Sequence, residues 1–240
     1  ISGAGDPILL IHGFDSCFLE FRRLVPYLES SNKLIIPDLY GFGFCPRPKD
    51  SAYGMEMIIT HLNQILKKIK TTKKIGLIGA SMGGGIAMEL ARRNSSKIDR
   101  LLLLSPAGLT GRPKPVPKPL DEVGVCILRN KFVRKRLCIT AFANPKKDVG
   151  EQEIQIASIH LNVPGWDRSL AAFARSGGVA NCGLPLPKQK TKILWGKKDK
   201  ILNNKERASC MNLLKCDHEE IDDCGHLPHI DLPLLSSKII

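Results

Sequence analysis

The apolar run at 75–79 passes through Gly79-Ala80-Ser81-Met82-Gly83 straight into a helical pattern at 81–93. A strand that becomes a helix within one residue turns sharply, and the residues two before and two after the apex must be small for the backbones to pass. Both are glycine here. Ser81 at the apex is driven into a strained conformation that costs about 1–3 kcal/mol and lifts its hydroxyl above the sheet. Taken alone, a glycine-rich strand–helix turn also serves packing or phosphate binding. The rest of the chain decides between these uses.

Buried parallel strands read as short apolar runs, each followed by a turn and a helix. Such runs stand at 8–12, 33–37, 75–79, 100–105 and 191–195, with a weaker one at 218–222. Between them, 55–69 places Ile58, Ile59, Leu62, Ile65, Leu66 and Ile69 on one helical face. Arg92 and Arg93 suit the C-terminus of a helix over 81–93. The alternation predicts an α/β fold with a doubly wound, mostly parallel sheet and a ligand site at the carboxyl ends of its strands. One stretch breaks the rhythm: 111–119 carries Pro113, Pro115, Pro117 and Pro119, which excludes helix and predicts an extended connector. From 120 to 180 the pattern is helical without strands. We therefore expect a core over 1–108 and 188–240, with a helical cap over 109–187 inserted between two strands.

With 43% hydrophobic and 25% charged residues in 240, the chain has material for one sizeable core. No apolar run approaches the roughly 20 residues a bilayer span needs. No signal peptide is visible at 1–7; the first residue is Ile, so an N-terminal targeting region is read as missing. The eight cysteines are dispersed, which favours a reducing, intracellular compartment. Cys210, Cys216, Cys224, His226 and His229 crowd together, yet lack the short paired spacings of zinc sites. Neither a metal nor a cofactor is expected.

The net charge of +13 reads as a Lys-rich solvated surface, with an anionic membrane surface as the sharper alternative. Aromatic residues make up 5%, too few for the stacking platforms of a nucleic-acid partner. The basic cluster at 129–136 lies beside Phe132, Val133, Leu137 and Ile139. It fits either a cap helix with one packed and one wet face or an interfacial helix touching lipid. Weak membrane-surface association through this basic cap is thus one expectation for partners.

A serine hydroxyl needs a base to become a nucleophile. Of the six histidines, His226 alone stands on a loop just after a late strand, in Gly225-His226-Leu227-Pro228. His12 ends a strand and shapes its loop; His61 and His160 lie in helical stretches, His218 precedes the sixth strand and His229 sits near the last helix. The acid should follow an intervening strand. The loop after 100–105 reads Ser105-Pro106-Ala107 and offers no carboxylate, whereas 191–195 leads to Asp199. The order nucleophile, acid, histidine is then Ser81, Asp199, His226. Asp199 would hold the imidazole tautomer rather than take a proton. Asp222 and Asp223 precede His226 too closely and read as strand end and turn. An oxyanion hole needs two donors: the Met82 amide follows the nucleophile, and the Phe14 amide lies on the loop after the first strand.

These pieces, in order Ile11-His12-Gly13-Phe14, Asp38-Leu39-Tyr40-Gly41-Phe42-Gly43, Gly79-Ala80-Ser81-Met82-Gly83-Gly84, Trp195-Gly196-Lys197-Lys198-Asp199 and Cys224-Gly225-His226-Leu227-Pro228-His229, resemble the α/β-hydrolase superfamily over essentially the whole chain. The flavour is similar to that of esterase and carbon–carbon hydrolase branches with a helical cap, and of hydrolase-like proteins of cyanobacteria and plastids. The resemblance implies a serine hydrolase fold with Gly79 and Gly83 in the nucleophile elbow, a structural rather than catalytic Asp38, and a cytoplasmic or plastid setting. Ser81 argues against members that hydrolyse epoxides or carbon–halogen bonds through an aspartate. The superfamily's first two strands have no counterpart, with 2–7 resembling the turn after the second, and the last helix is short at Ile240; both would leave a sheet edge uncovered.

The cap would set substrate choice. Trp166, Phe142 and Phe173, with Leu161 and Leu170, are candidates to line the pocket, though at helical spacing such residues are more often core. Arg175 reads as a surface residue with a substrate carboxylate as the alternative. The expected reaction is hydrolysis of a small or lipophilic carboxylic ester through an acyl-enzyme. Carbon–carbon or thioester hydrolysis on the same triad, or a non-catalytic binding role on the same fold, are the alternatives.

Overall fold

A computed structural model describes residues 1–239. The first half runs β1 (Asp6–Ile11), α1 (Val25–Leu28), β2 (Asn32–Ile35), α2 (Met55–Lys68), β3 (Ile75–Ala80), α3 (Met82–Arg93) and β4 (Ile98–Leu104). A helical insertion comes next: α4 (Leu120–Arg129), α5 (Lys131–Ala141), α6 (Pro145–Asp148), α7 (Glu151–Ile156) and α8 (Trp166–Arg175). The chain then returns through β5 (Lys190–Gly196), α9 (Asn204–Leu214), β6 (Asp217–Ile221), α10 (Pro228–Asp231) and α11 (Pro233–Ile239).

The strands form one six-stranded sheet in the order β2-β1-β3-β4-β5-β6, and every pairing is parallel. Alternate side chains feed two cores. Leu9, Ile11, Leu77, Leu101, Leu103 and Ile193 pack under α2, α3 and α9. Ile8, Leu10, Ile78, Leu102, Leu104 and Leu194 pack with Phe21, Leu24 and Leu28. The chain reverses its direction of winding between β1 and β3, so the crevice at their carboxyl ends is a topological switch point. Both the Phe14 loop and Ser81 lie there.

The structure adjusts several boundaries. The strand expected at 33–37 ends at Ile35, because Pro37 has no amide for the ladder. The weak candidate at 218–222 is a real edge strand at Asp217–Ile221, exposed except at Ile221, and His218 lies within it. The outer edge of β2 is not bare: Ser2 bridges it antiparallel at Leu34, donating to Leu34 O at 3.0 Å and accepting from Leu34 N at 2.8 Å. Ile240, where the last helix was expected to stop, lies outside the described residues. The proline-rich connector is extended, and its non-proline amides at Lys114 and Val116 donate to Gly177 and Ala174 at the end of α8.

Ionic contacts fix the insertion and its return to the core. Arg22 and Arg23 both reach Glu153 of α7, at 3.1 and 2.6 Å. Arg47 donates to Ser169 Oγ of α8 at 3.0 Å. Further along, Glu89 of α3 accepts from Arg92, Arg93 and the Gly183 amide, tying the segment before β5 to the core. Burial alone would raise the Glu89 pKa, but these donors outweigh it and bring it from the ordinary 4.5 down to about 2. Glu89 therefore contributes stability above pH 4.5 that is lost as pH falls towards 2. We expect Glu89→Gln to be about 1–2 kcal/mol less stable near neutral pH, after allowance for solvent screening, with the gap closing in acid. Urea unfolding at several pH values measures it; a gap independent of pH counts against the assignment.

Candidate active site

Ser81 sits between β3 and α3 with φ 51° and ψ −121°, a left-handed position that a β-carbon makes costly. Its amide donates to Leu104 O and its carbonyl accepts from Gly84 and Ala107, each at 2.9 Å, so neighbouring strand and loop hold the strained apex. The flanking glycines are sterically required. A β-carbon on Gly79 would lie 2.4 Å from Gly83 O, and one on Gly83 would lie 2.1 Å from Ile11 O. The elbow is thus wedged against the end of β1.

His226 arrives on the loop after β6. Its Nε2 lies 2.9 Å from Ser81 Oγ, and its Nδ1 lies 2.8 Å from Asp199 Oδ2. An ionised carboxylate only accepts, so Nδ1 carries the hydrogen and Nε2 is left to accept from the serine hydroxyl. The other Asp199 oxygen accepts from the amides of Ile201 and Leu202 at 2.8 and 3.1 Å. Burial works to raise the Asp199 pKa, but the His226 bond and these two amides prevail and keep it below the usual aspartate value. The His226 loop is itself braced: His226 N donates to Ala141 O at 2.8 Å. Asp231 accepts from Gly225 N at 2.5 Å and Ala143 N at 3.0 Å. Its burial outweighs those bonds and raises its pKa.

The loop after β1 closes the other side. A β-carbon on Gly13 would stand 3.3 Å from the Ser81 Cβ, so this loop passes directly beside the serine. His12, fully buried, fixes it. Leu39 N donates to His12 Nε2 at 3.0 Å, which leaves Nδ1 to donate to Gly13 O at 2.8 Å. Burial lowers the His12 pKa, in keeping with this neutral form. The Gly13 amide is used, donating to both Glu20 oxygens at 3.1 Å. The amides of Phe14 and Met82 have no intramolecular acceptor among the described residues. Met82 is also the first residue of α3, where helix amides and dipole favour negative charge.

Phe14, Ser81 and His226 line one cavity of about 260 Å³, walled by Leu128, Leu137, Cys138, Ala141, Ile201 and Leu227. A larger cleft of about 490 Å³ between α2, α3 and the segment after α8 contains none of these groups. Trp166, Phe142 and Phe173 do not line the Ser81 cavity; all are at most 5% exposed and belong to the packing. Trp166 donates to Asp15 at 2.8 Å, Phe142 lies under Arg23, and Phe173 packs tilted against Phe14 and edge-to-face against Phe42. Arg175 meets a carboxylate, but within the chain, at buried Asp121. Asp38 accepts from the amides of Phe18 and Phe44 and braces two loops.

Two buried carboxylates beside the Ser81 loop escaped the sequence reading. Glu20 holds the Gly13 amide, and Asp15 joins the Phe14 loop to the insertion. Asp15 pairs with Arg134 and accepts from Trp166 Nε1 and His160 Nε2 at 2.8 and 3.0 Å. Its burial favours protonation, but these partners prevail and lower its pKa. The partners lie 119 to 151 residues further along, so no local pattern marks Asp15 as buried. For Glu20, one weak signal exists: a lone acid among Phe18, Leu19 and Phe21.

Comparison with known proteins agrees with this architecture. A family model described as alpha/beta hydrolase fold matches residues 6–125. A 2-hydroxymuconate semialdehyde hydrolase of a Pseudomonas species is 28% identical over 96% of this chain and 83% of its own. An alpha/beta hydrolase domain-containing protein of Arabidopsis thaliana is 28% identical over 98% and 72%. Lipase 1 of Psychrobacter immobilis is 27% identical over 95% and 73%. Among solved structures, a meta-cleavage product hydrolase of Pseudomonas fluorescens superposes with TM-score 0.82 at 21% identity, covering 99% of this chain and 90% of that one. At that identity the likeness speaks for the fold alone.

Proposed function

This chain belongs to the alpha/beta hydrolase fold family, and from that premise we propose that it is a serine hydrolase of carboxylic esters, with Ser81, Asp199 and His226 as its triad. The observation that carries the reading is the continuous line of hydrogen bonds from Asp199 through both nitrogens of His226 to Ser81 Oγ, at 2.8 and 2.9 Å. His226 Nε2 takes the hydroxyl proton as Oγ attacks the ester carbonyl. Negative charge on the tetrahedral oxygen is met by the Phe14 and Met82 amides. The imidazolium, stabilised by Asp199, passes the proton to the departing alcohol, leaving an acyl-serine. A water then attacks the acyl carbon as His226 takes its proton; the tetrahedral intermediate collapses, His226 returns that proton to Ser81 Oγ, and the acid leaves.

The insertion acts as the cap. Through α4 and α5 it walls the cavity with Leu128, Leu137 and Cys138, which supports an uncharged, apolar substrate group. At about 260 Å³ the cavity suits a short acyl or alkyl chain. Arg134 also reaches it, but its charge is already met by Asp15. That pairing favours uncharged esters over anionic substrates, because no other lysine or arginine among the described residues lines the cavity.

Labelling with a fluorophosphonate probe tests the reading. We expect stoichiometric, covalent modification of the wild type and none of Ser81→Ala. A folded wild type that resists the probe, or labelling that survives Ser81→Ala, overturns the assignment.

A further inference from the structure

The outer surface of the insertion is unusual for a solvated face. Leu120, Val123 and Ile127 on α4 are 60%, 52% and 53% exposed, and their spacing puts them on one stripe of the helix. Phe132, in the first turn of α5, is 84% exposed. Four large apolar side chains exposed to this extent on two consecutive helices make a candidate interaction surface. It lies in a basic field: Arg129, Lys131, Lys135 and Arg136 are all exposed. Arg129 reaches Asp167 at 3.5 Å, whereas the other three have no ion-pair partner among the described residues. On α4, Asp121 is buried against Arg175, and Glu122 lies 3.8 Å from Lys118. No acid stands on α5.

We propose that this face of α4 and α5 docks on an anionic lipid surface. The aliphatic stripe and the Phe132 ring enter the boundary between headgroups and acyl chains, while the lysines and arginines meet lipid phosphates and carboxylates. Two observations favour lipid over other occupants. A second copy packing face to face would set the same cations against one another. A ring as exposed as Phe132 has no preformed pocket and suits a fluid boundary better than a shaped partner. The inner faces of the same helices contribute Leu128, Arg134 and Leu137 to the Ser81 cavity, so docking holds that cavity within one helix layer of the lipid. The docking itself does not depend on the reading of Ser81 as nucleophile.

A second basic cluster provides an internal control. Lys67, Lys68 and Lys70 close α2 and lead into the interior strand β3 at its amino end, away from the insertion, with no large apolar side chain exposed beside them. If charge alone drove association, this cluster would serve equally well.

The test is co-sedimentation of the full chain with vesicles of phosphatidylcholine alone or with about 30 mol% phosphatidylserine, at about 0.1 and 0.5 M salt. We expect binding to the anionic vesicles, little to the neutral ones, and weakening at higher salt. Each cation near such a surface is worth about a factor of five, so Lys131→Glu with Lys135→Glu lowers the partition coefficient at least about 25-fold. Ile127→Ser with Phe132→Ser lowers it about tenfold or more. Lys67→Glu with Lys70→Glu leaves it unchanged. Retained fluorophosphonate labelling or an unchanged circular dichroism spectrum certifies that each variant is folded. Equal binding to neutral vesicles, no binding to either, or an equal loss in the Lys67/Lys70 variant overturns the proposal. So does a dimer in size-exclusion chromatography that Phe132→Ser dissolves, since the occupant would then be a second copy.

Discussion

Replacing either Ser81 or His226 by alanine lowers the rate of ester hydrolysis by about 10⁵–10⁶, and the double variant is no slower than either single one. Non-additivity is the informative part. With the base gone, the serine hydroxyl is an ordinary alcohol; with the serine gone, the base has no proton to take. The two groups, 2.9 Å apart, therefore fail as a unit. Asp199→Asn is expected to cost about 10⁴, because an amide facing Nδ1 no longer imposes the tautomer that leaves Nε2 free to accept. A residual rate above the uncatalysed reaction persists through the Phe14 and Met82 amides. Turnover of a p-nitrophenyl ester, with thermal unfolding as the control for folding, measures all of these. Losses that add in the double variant, or an Asp199→Asn enzyme near full rate, would refute the proposed roles.

The largest effect on stability is expected at Asp15. Its side chain is 4% exposed and that of Arg134 8%, and Asp15 also serves Trp166 and His160. Asp15→Ala leaves a buried guanidinium uncompensated, which costs about 3–5 kcal/mol. That is a large share of a typical folding free energy of about 5–15 kcal/mol. The companion variant separates a lost pair from an orphaned charge. Asp15→Ala with Arg134→Met removes both ions and is expected to recover the part of the loss due to the orphaned charge, while the Trp166 and His160 donors stay unpaired; the double-mutant cycle gives a coupling well above about 1 kcal/mol. Urea unfolding midpoints read it directly. A double variant as unstable as Asp15→Ala would show that the charge of Arg134 is not the source. Because Asp15 adjoins Phe14, we also expect slower fluorophosphonate labelling in Asp15→Ala.

The parallel sheet was legible because β1, β3, β4 and β5 are short, nearly unbroken apolar runs, the signature of strands buried on both faces. The elbow was legible for a related reason. Its glycines answer a local steric demand, and the structure shows the backbone atoms that would collide with any side chain there. The choice of Ser81, Asp199 and His226 came from their order on loops after strands, and the fold brings them within hydrogen-bonding distance of one another.

Trp166, Phe142 and Phe173 went the other way. Helical spacing reports that a side chain faces inward, but not whether it meets a cavity or a neighbour; these three meet neighbours. Asp15, Glu20 and Asp231 were invisible for the complementary reason. In sequence they are ordinary acids: only the aromatic neighbours of Glu20 hint at burial, and nothing local reveals that Asp15 is buried or that half-buried Asp231 is held by two amides.

Local stereochemistry and strand order, both written in the chain itself, specify the parallel sheet, the strained turn at Ser81 and the order of the three candidate catalytic residues. Tertiary packing settles which charges are buried and paired, which side chains wall the cavity and which merely pack, and which face of the insertion is left to solvent. The division has a physical cause. Turns and strand runs are fixed by neighbours a few residues away, whereas the burial and pairing of a group such as Asp15 depend on partners brought in from more than a hundred residues along the chain.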